Sequence, residues 1–352
     1  MFRDQEPIPL NLPSVSGWKE IPIKEGGELL IPLGPFSPQN KIFTRSIYGG
    51  EGTESPYRKS PLIGGLISVF VREDVARDLS VAQDLLPNRM HLVVFDAYRP
   101  LEVQQSLFDK YYTDLKDFNP NFTEQELLEE TQKYVSLPST DKSKPSPHNT
   151  GGAVDLAIFS LPQDVDILVK EIDSQLENLP DNNWQLAYML EMRKIALIRT
   201  NMKMLDFGTL FDWGGSEAAL NHYEQISQSR NLTINEIVAR NNRRLIYNVM
   251  GEAGFEPFES EWWHYNSKKS QMGAKSAGLP FAEYGAINLS PPNKEHEQMR
   301  KNHRLGSIRF HEGTNLLVTI KSTYYVVAEQ AVRETGDIRA SSLPIASIIS
   351  PQ

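Results

Sequence analysis

Ser146-Pro147-His148-Asn149-Thr150-Gly151-Gly152-Ala153-Val154-Asp155-Leu156 reads as a turn that runs into a strand. From Ala153 to Phe159 the residues alternate, with Val154, Leu156 and Ile158 on one face and Ala153, Asp155 and Ala157 on the other, which is the two-residue period of a strand. A carboxylate set between two alanines needs a partner, because a buried charge has to be paired or bound to a metal. Gly151 and Gly152 permit a tight turn and leave space beside His148. Two readings of His148 and Asp155 are open: half of a zinc site, or an ordinary hydrogen-bonded pair across a turn.

Upstream, His91 to Phe95 is a strand that leads into Asp96-Ala97-Tyr98-Arg99-Pro100. Pro100 holds Arg99 extended and opens a helix bearing Leu101, Leu107, Phe108, Tyr111 and Leu115. Arg99 there either faces a cleft or is a salt-bridged arginine at a helix start. Before it, Ile21 to Leu33 and Leu62 to Val71 are expected as strands, separated by a Gly/Ser/Pro-rich loop from Tyr48 to Pro61, and Asp74 to Leu86 as a short helix.

Downstream of Lys144, which closes a polar loop with one short helix at Glu124 to Val135, Asp164 to Asn201 predicts two helices broken at Leu179-Pro180-Asp181. Asp206-Phe207-Gly208-Thr209-Leu210-Phe211-Asp212 is either a capped turn or an anion aimed at a cationic ligand group. Ile237 to Gly254 predicts a helix that Gly254 closes. In Glu259-Ser260-Glu261-Trp262-Trp263-His264-Tyr265, Glu261 and His264 would point to opposite faces of a regular strand, so Glu261 is expected on the bend before it. Trp262 and Trp263 are read as core packing. From Gln271 the chain reads as loop-like, with a charged helix at Asn293 to Asn302 and strand-like runs at Gly306 to Phe310 and Asn315 to Ala328.

At 352 residues the chain can be one large domain or two ordinary ones. A net charge of −9 without any basic block argues against a nucleic-acid partner or a polybasic membrane anchor. The longest apolar run, Leu62 to Val71, is about half of the ~20 residues that a spanning helix needs, so no membrane span is expected. Met1 to Pro13 has neither a basic n-region nor an apolar h-region, which favours a cytoplasmic location, or a periplasmic one if a signal has been trimmed. With no cysteine in the chain, any metal has to be held by His, Asp and Glu.

Of the seven histidines, His296 and His303 sit on a charged stretch, and His311-Glu312 lacks the second histidine of a zinc-helix motif because Asn315 takes its place. His91 and His222 read as structural or exposed. His148 and His264 remain, flanked by carboxylates and by glycine or aromatic residues. With Asp155 they give three protein ligands and one open position, the layout of a catalytic zinc.

Phe95-Asp96-Ala97-Tyr98-Arg99-Pro100, Ser146-Pro147-His148 with Gly151 to Leu156, Gly208-Thr209-Leu210-Phe211-Asp212 and Glu261-Trp262-Trp263-His264-Tyr265 resemble, in that order, motifs of the D-alanyl-D-alanine dipeptidases. That family includes the vancomycin-resistance dipeptidases and is related to the zinc D,D-carboxypeptidases. The helix carrying Arg244, Leu245, Met250, Gly254 and Phe255 is similar too. The resemblance implies one Zn2+ per chain on His148, Asp155 and His264, Glu261 as the general base for metal-activated water, and Arg99 as the transition-state arginine. It assigns Asp212 to the free amine of a small D-amino-acid dipeptide, and Ser146 to substrate contact. The expected fold is α+β, with a small central antiparallel sheet flanked by helices and the zinc site at the sheet. Family members are shorter, so residues 1–270 read as the catalytic domain, with 164–201 as a helical insertion and 271–352 as an extension of unknown role. The alternatives are a zinc D,D-carboxypeptidase or cell-wall endopeptidase and, more distantly, a non-catalytic zinc module of the hedgehog type; the oligomeric state is left open.

Overall fold

Val154, Leu156, Ala157, Ile158 and Phe159 have no solvent exposure, so the strand they form is covered on both faces and lies at the centre of the structure. The computed structural model describes residues 5–288, apart from 36, 38–40, 52–54, 56, 59–61, 67 and 181–182. The strands are β1 (Leu30–Leu33), β2 (Phe43–Thr44), β3 (Val69–Arg72), β4 (Met90–Asp96), β5 (Ala153–Ser160), β6 (Lys203–Met204), β7 (Phe255–Phe258) and β8 (Glu261–Ser267). One sheet has the order β2-β4-β5-β8-β7, with β6 added on β5, and β1 and β3 form a separate antiparallel pair. Every pairing in the larger sheet is antiparallel except β2 with β4.

The helices are α1 (Glu73–Leu85), α2 (Leu101–Phe118), α3 (Glu124–Tyr134), α4 (Gln163–Glu177), α5 (Trp184–Asn201), α6 (His222–Ile226), α7 (Ile234–Glu252) and α8 (Gln271–Ser276). The fold is α+β. Among the described residues no helix is long and apolar enough to cross a membrane.

Residues 1–290 make one compact unit, and the helix and strands expected beyond Asn293 lie outside the described residues. Near the N-terminus the strands are shorter than the apolar pattern suggests. Leu62 to Val71 yields only β3, because Gly64 and Gly65 form a turn in which Leu62 bonds to Tyr48 and Gly65 returns to Leu62. Ile21 to Leu33 yields only β1 and an isolated bridge from Ile23 to Ala282, with Gly27 in the left-handed region at φ 78° between them.

The loop-like reading from Gln271 is also corrected. Ser270 caps α8 by accepting from the Gly273 N–H, and the chain then returns to bond Lys24 and Gly26 through Ala282 and Glu283. Tyr284 is fully buried in this return. Nothing local in a Ser/Gly/Lys-rich stretch announces that packing.

Thr123 with Glu126 and Thr233 with Glu236 form reciprocal capping boxes on α3 and α7. In each, the threonine oxygen and the glutamate carboxylate satisfy two backbone donors that the first helical turn leaves open. Thr233→Ala is expected to cost about 1 kcal/mol, read as a lower midpoint in urea with an unchanged slope.

Candidate metal centre and adjoining cleft

His148 opens a single 3-10 turn, His148–Thr150, that Gly151 ends at φ 71°. A side chain at Gly151 would strike Leu30, and one at Gly152 would come within 2.7 Å of the Tyr284 ring. The space these glycines leave is therefore filled by the N-terminal strands and the returning tail, not by His148. The chain then enters β5, where Asp155 pairs with His264 of β8. That register sets a carboxylate and an imidazole side by side in the buried sheet.

His148 Nε2 lies 3.1 Å from His264 Nδ1 and 3.4 Å from Asp155 Oδ2, and His264 Nδ1 lies 3.0 Å from Asp155 Oδ1. All three residues are buried. The outer nitrogens are already engaged: His148 Nδ1 is 2.9 Å from the Ala97 carbonyl, and His264 Nε2 is 3.2 Å from Asn266 Oδ1. Each outer nitrogen therefore donates, which leaves the lone pairs of the two inner nitrogens directed at the Asp155 carboxylate. Three acceptors meet with no donor of their own between them. A shared proton or a metal cation satisfies that geometry, and two imidazoles with one carboxylate suit zinc.

Burial alone would raise the Asp155 pKa, but the adjacent His148 and His264 hold it far below the usual carboxylate range. For His264, burial lowers the pKa, and the hydrogen bond and charge of Asp155, together with Glu261 and Asn266, more than offset it, so its net shift is upward. Both shifts describe a carboxylate and an imidazole that each favour the other's charged form.

Glu261 is the first residue of β8, not part of a bend before it. β7 and β8 run in register from Phe255↔Ser267 to Pro257↔Tyr265, and then Phe258 pairs with Glu261. One step along β7 thus matches four along β8. This bulge turns Glu261 back toward its third neighbour, with Oε2 3.8 Å from His264 Nδ1, a common use of bulges beside active sites. Surrounding protein raises the Glu261 pKa to about 7, although 35% of the side chain is exposed and water moderates the shift.

Arg99 is almost enclosed. Its guanidinium bonds to Asp96 (2.9 Å), Gln104 (2.8 Å) and Tyr48 (3.3 Å), and one nitrogen lies 3.4 Å from Asp155 Oδ2. Burial would lower its pKa, but Asp96, Tyr48 and Asp155 hold it above the normal arginine value. Asp96 also sits 3.2 Å from His148 Nδ1, so one carboxylate orients both the arginine and the first histidine.

Asp212 has a left-handed backbone, φ 63°, a conformation that costs a non-glycine residue about 1 kcal/mol or more. Tyr57 donates to its Oδ2 at 3.3 Å. Enclosure by protein raises the Asp212 pKa to about 6, and Arg99 opposes that rise; the residue is open to the cleft, where solvent weakens the effect. Asp212, Glu261, Trp263 and Phe258 line a cavity of about 880 Å3 that continues to His222 and Ser229. Ser146 uses its hydroxyl to accept from the Asn149 N–H at 3.2 Å, a structural role that stabilises the turn under His148.

The structure thus brings His148, Asp155, His264, Glu261 and Arg99 together, with Asp212 on the wall of the cleft. Asn266, Asp96, Gln104, Tyr48 and Tyr57 were not singled out from sequence. Asn266 had a usable signal, since it falls two residues after His264 on the same strand face. Tyr48 and Tyr57 come from a loop without any pattern that points to the site.

Buried imidazoles and a carboxylate converging on one point, beside a second carboxylate and an arginine, define a candidate metal centre on an α+β sheet. No family model matches the chain. It is 24% identical over 256 residues to a D-alanyl-D-alanine dipeptidase of Synechocystis sp., a match covering 70% of this chain and 84% of that protein. This supports a distant relationship to that family.

Proposed function

We propose that the protein is a zinc-dependent dipeptidase acting on D-alanyl-D-alanine. The observation that carries this reading is the convergence of the His148 and His264 lone pairs on the Asp155 carboxylate, with Glu261 turned to the same side by the β8 bulge. The distant dipeptidase relative supports a hydrolase. One zinc per chain would be held by His148, Asp155 and His264, and when bound it would let a water molecule lose its proton near pH 7.

Within that arrangement Glu261 accepts the proton of the attacking water and returns it to the leaving nitrogen. Arg99, oriented by Asp96 and Gln104, supplies positive charge where the peptide oxygen becomes anionic. Asp212, open to the cleft, offers its negative charge to the substrate ammonium, and Ser146, besides holding the His148 turn, would contact the substrate.

The cleft volume favours a second reading, a D,D-carboxypeptidase, because about 880 Å3 leaves room for a longer peptide. Turnover of D-Ala-D-Ala and its N-acetyl form by the zinc-loaded protein separates the two. The dipeptidase reading predicts a kcat/KM at least tenfold higher for the free dipeptide, about the value of 1.4 kcal/mol in binding. Asp212→Ala should remove most of that preference. Equal rates, or faster turnover of the acylated substrate by the unaltered protein, would favour the carboxypeptidase.

A further inference from the structure

Arg243 of α7 has no solvent exposure, and its guanidinium hydrogen-bonds to backbone carbonyls: Nε to Phe207 at 2.8 Å, one terminal nitrogen to Ala219 at 2.5 Å and the other to Glu217 at 2.8 Å. The face of the guanidinium lies over the Tyr223 ring at 4.7 Å. Burial lowers its pKa, to about 10. An enclosed charge is expensive unless its partners are held in place, so a guanidinium satisfied by main-chain carbonyls marks backbone that has to be held.

Those carbonyls bracket the segment that carries Asp212. Phe207 stands at its start, and Glu217 and Ala219 stand at its end. The tip is weakly held, with Leu210 74% exposed, and Asp212 occupies a left-handed conformation that relaxes unless its surroundings fix it. The base is fixed instead. Asn242, next to Arg243 on the helix, bonds to the Asp206 carbonyl at 2.6 Å, and Phe207 stacks on Trp262 at 4.1 Å. Gly208 crosses so close to Tyr223 that a Cβ there would collide with the phenol. Only a planar fork with donors at fixed angles reaches the three carbonyls together.

We propose that Arg243 is a positioning residue for amine recognition: by stapling both ends of the 207–219 loop it holds the Asp212 carboxylate where the substrate ammonium binds. This rests on the role proposed for Asp212. It makes Arg243 a determinant of the choice between free and N-blocked dipeptides, although it touches neither substrate nor metal ligand.

The test uses the full chain loaded with zinc, with D-Ala-D-Ala and N-acetyl-D-Ala-D-Ala as substrates. Arg243→Lys retains the charge but cannot span the three carbonyls. Its zinc content and its turnover of the acylated dipeptide should match the unaltered protein. KM for the free dipeptide should rise about tenfold with little change in kcat, since misplacement of a binding group by about 1 Å can cost up to about 10²-fold. Arg243→Met, which also removes the charge, should lose at least as much discrimination.

Coupling supplies the stricter criterion. In an Asp212→Ala background, Arg243→Lys should cause no further loss of discrimination, because the two residues act through one carboxylate. Unchanged discrimination in Arg243→Lys, an equal fall in kcat on both substrates, or the same loss with and without Asp212 would each overturn the proposal. If the unaltered protein cleaves both substrates equally, the Asp212 reading fails and this role fails with it. A clear preference for the free dipeptide that survives Arg243→Lys refutes the stapling role alone.

Discussion

Alanine at both His148 and His264 is expected to take bound zinc from about one ion per chain to none, as counted by elemental analysis after dialysis. The expectation follows from the lone-pair geometry: with both inner nitrogens gone, Asp155 is the only one of the three ligands left, and a single carboxylate is a poor zinc ligand set. A thermal readout should agree. Zinc at a thousandfold excess over its Kd adds about 4 kcal/mol to a protein that binds it only when folded, so the unaltered chain should melt higher with zinc and the double variant should not. Full zinc content in the double variant would remove the metal centre from this position.

Glu261→Ala should leave zinc in place and reduce turnover by about 10²–10⁴, the range for loss of a positioned general base. A Glu261→Gln variant should behave likewise in rate. Because the folded-state pKa of Glu261 is raised to about 7, the folded state holds a proton that the unfolded chain releases near the ordinary glutamate value. The stability of the metal-free protein therefore falls as pH rises between those limits. Replacing the carboxyl with an amide removes that decline, so metal-free Glu261→Gln should melt higher than the parent at pH 8 and by a smaller margin at pH 5. Near-normal turnover in either variant would show that Glu261 is not the base.

The parts of this site legible in sequence are those in which local pattern and local chemistry coincide. The alternation of Ala153 to Phe159 and the proline after Arg99 each describe a few residues, and the structure follows them closely. Glu261 was harder. Its place beside His264 depends on a register slip between β7 and β8, and a slip is a property of two strands together. The same holds for the return of residues 282–285 onto Lys24 and Arg72, which no periodicity predicts. Arg243 was invisible for a related reason, since a buried arginine and an exposed one read alike in a helical pattern until the carbonyls opposite it are known.

His148 and His264 are 116 residues apart in the chain, and β8 brings the second beside Asp155. During synthesis the third donor therefore leaves the ribosome long after the turn and β5 are available, so on the proposed reading a complete donor set for zinc exists only once β8 has been made. The apolar centre of β5 has to stand without the ion. On the proposed reading, a chain starved of zinc should accordingly accumulate as a folded, inactive reservoir, ready to be switched on when zinc is supplied.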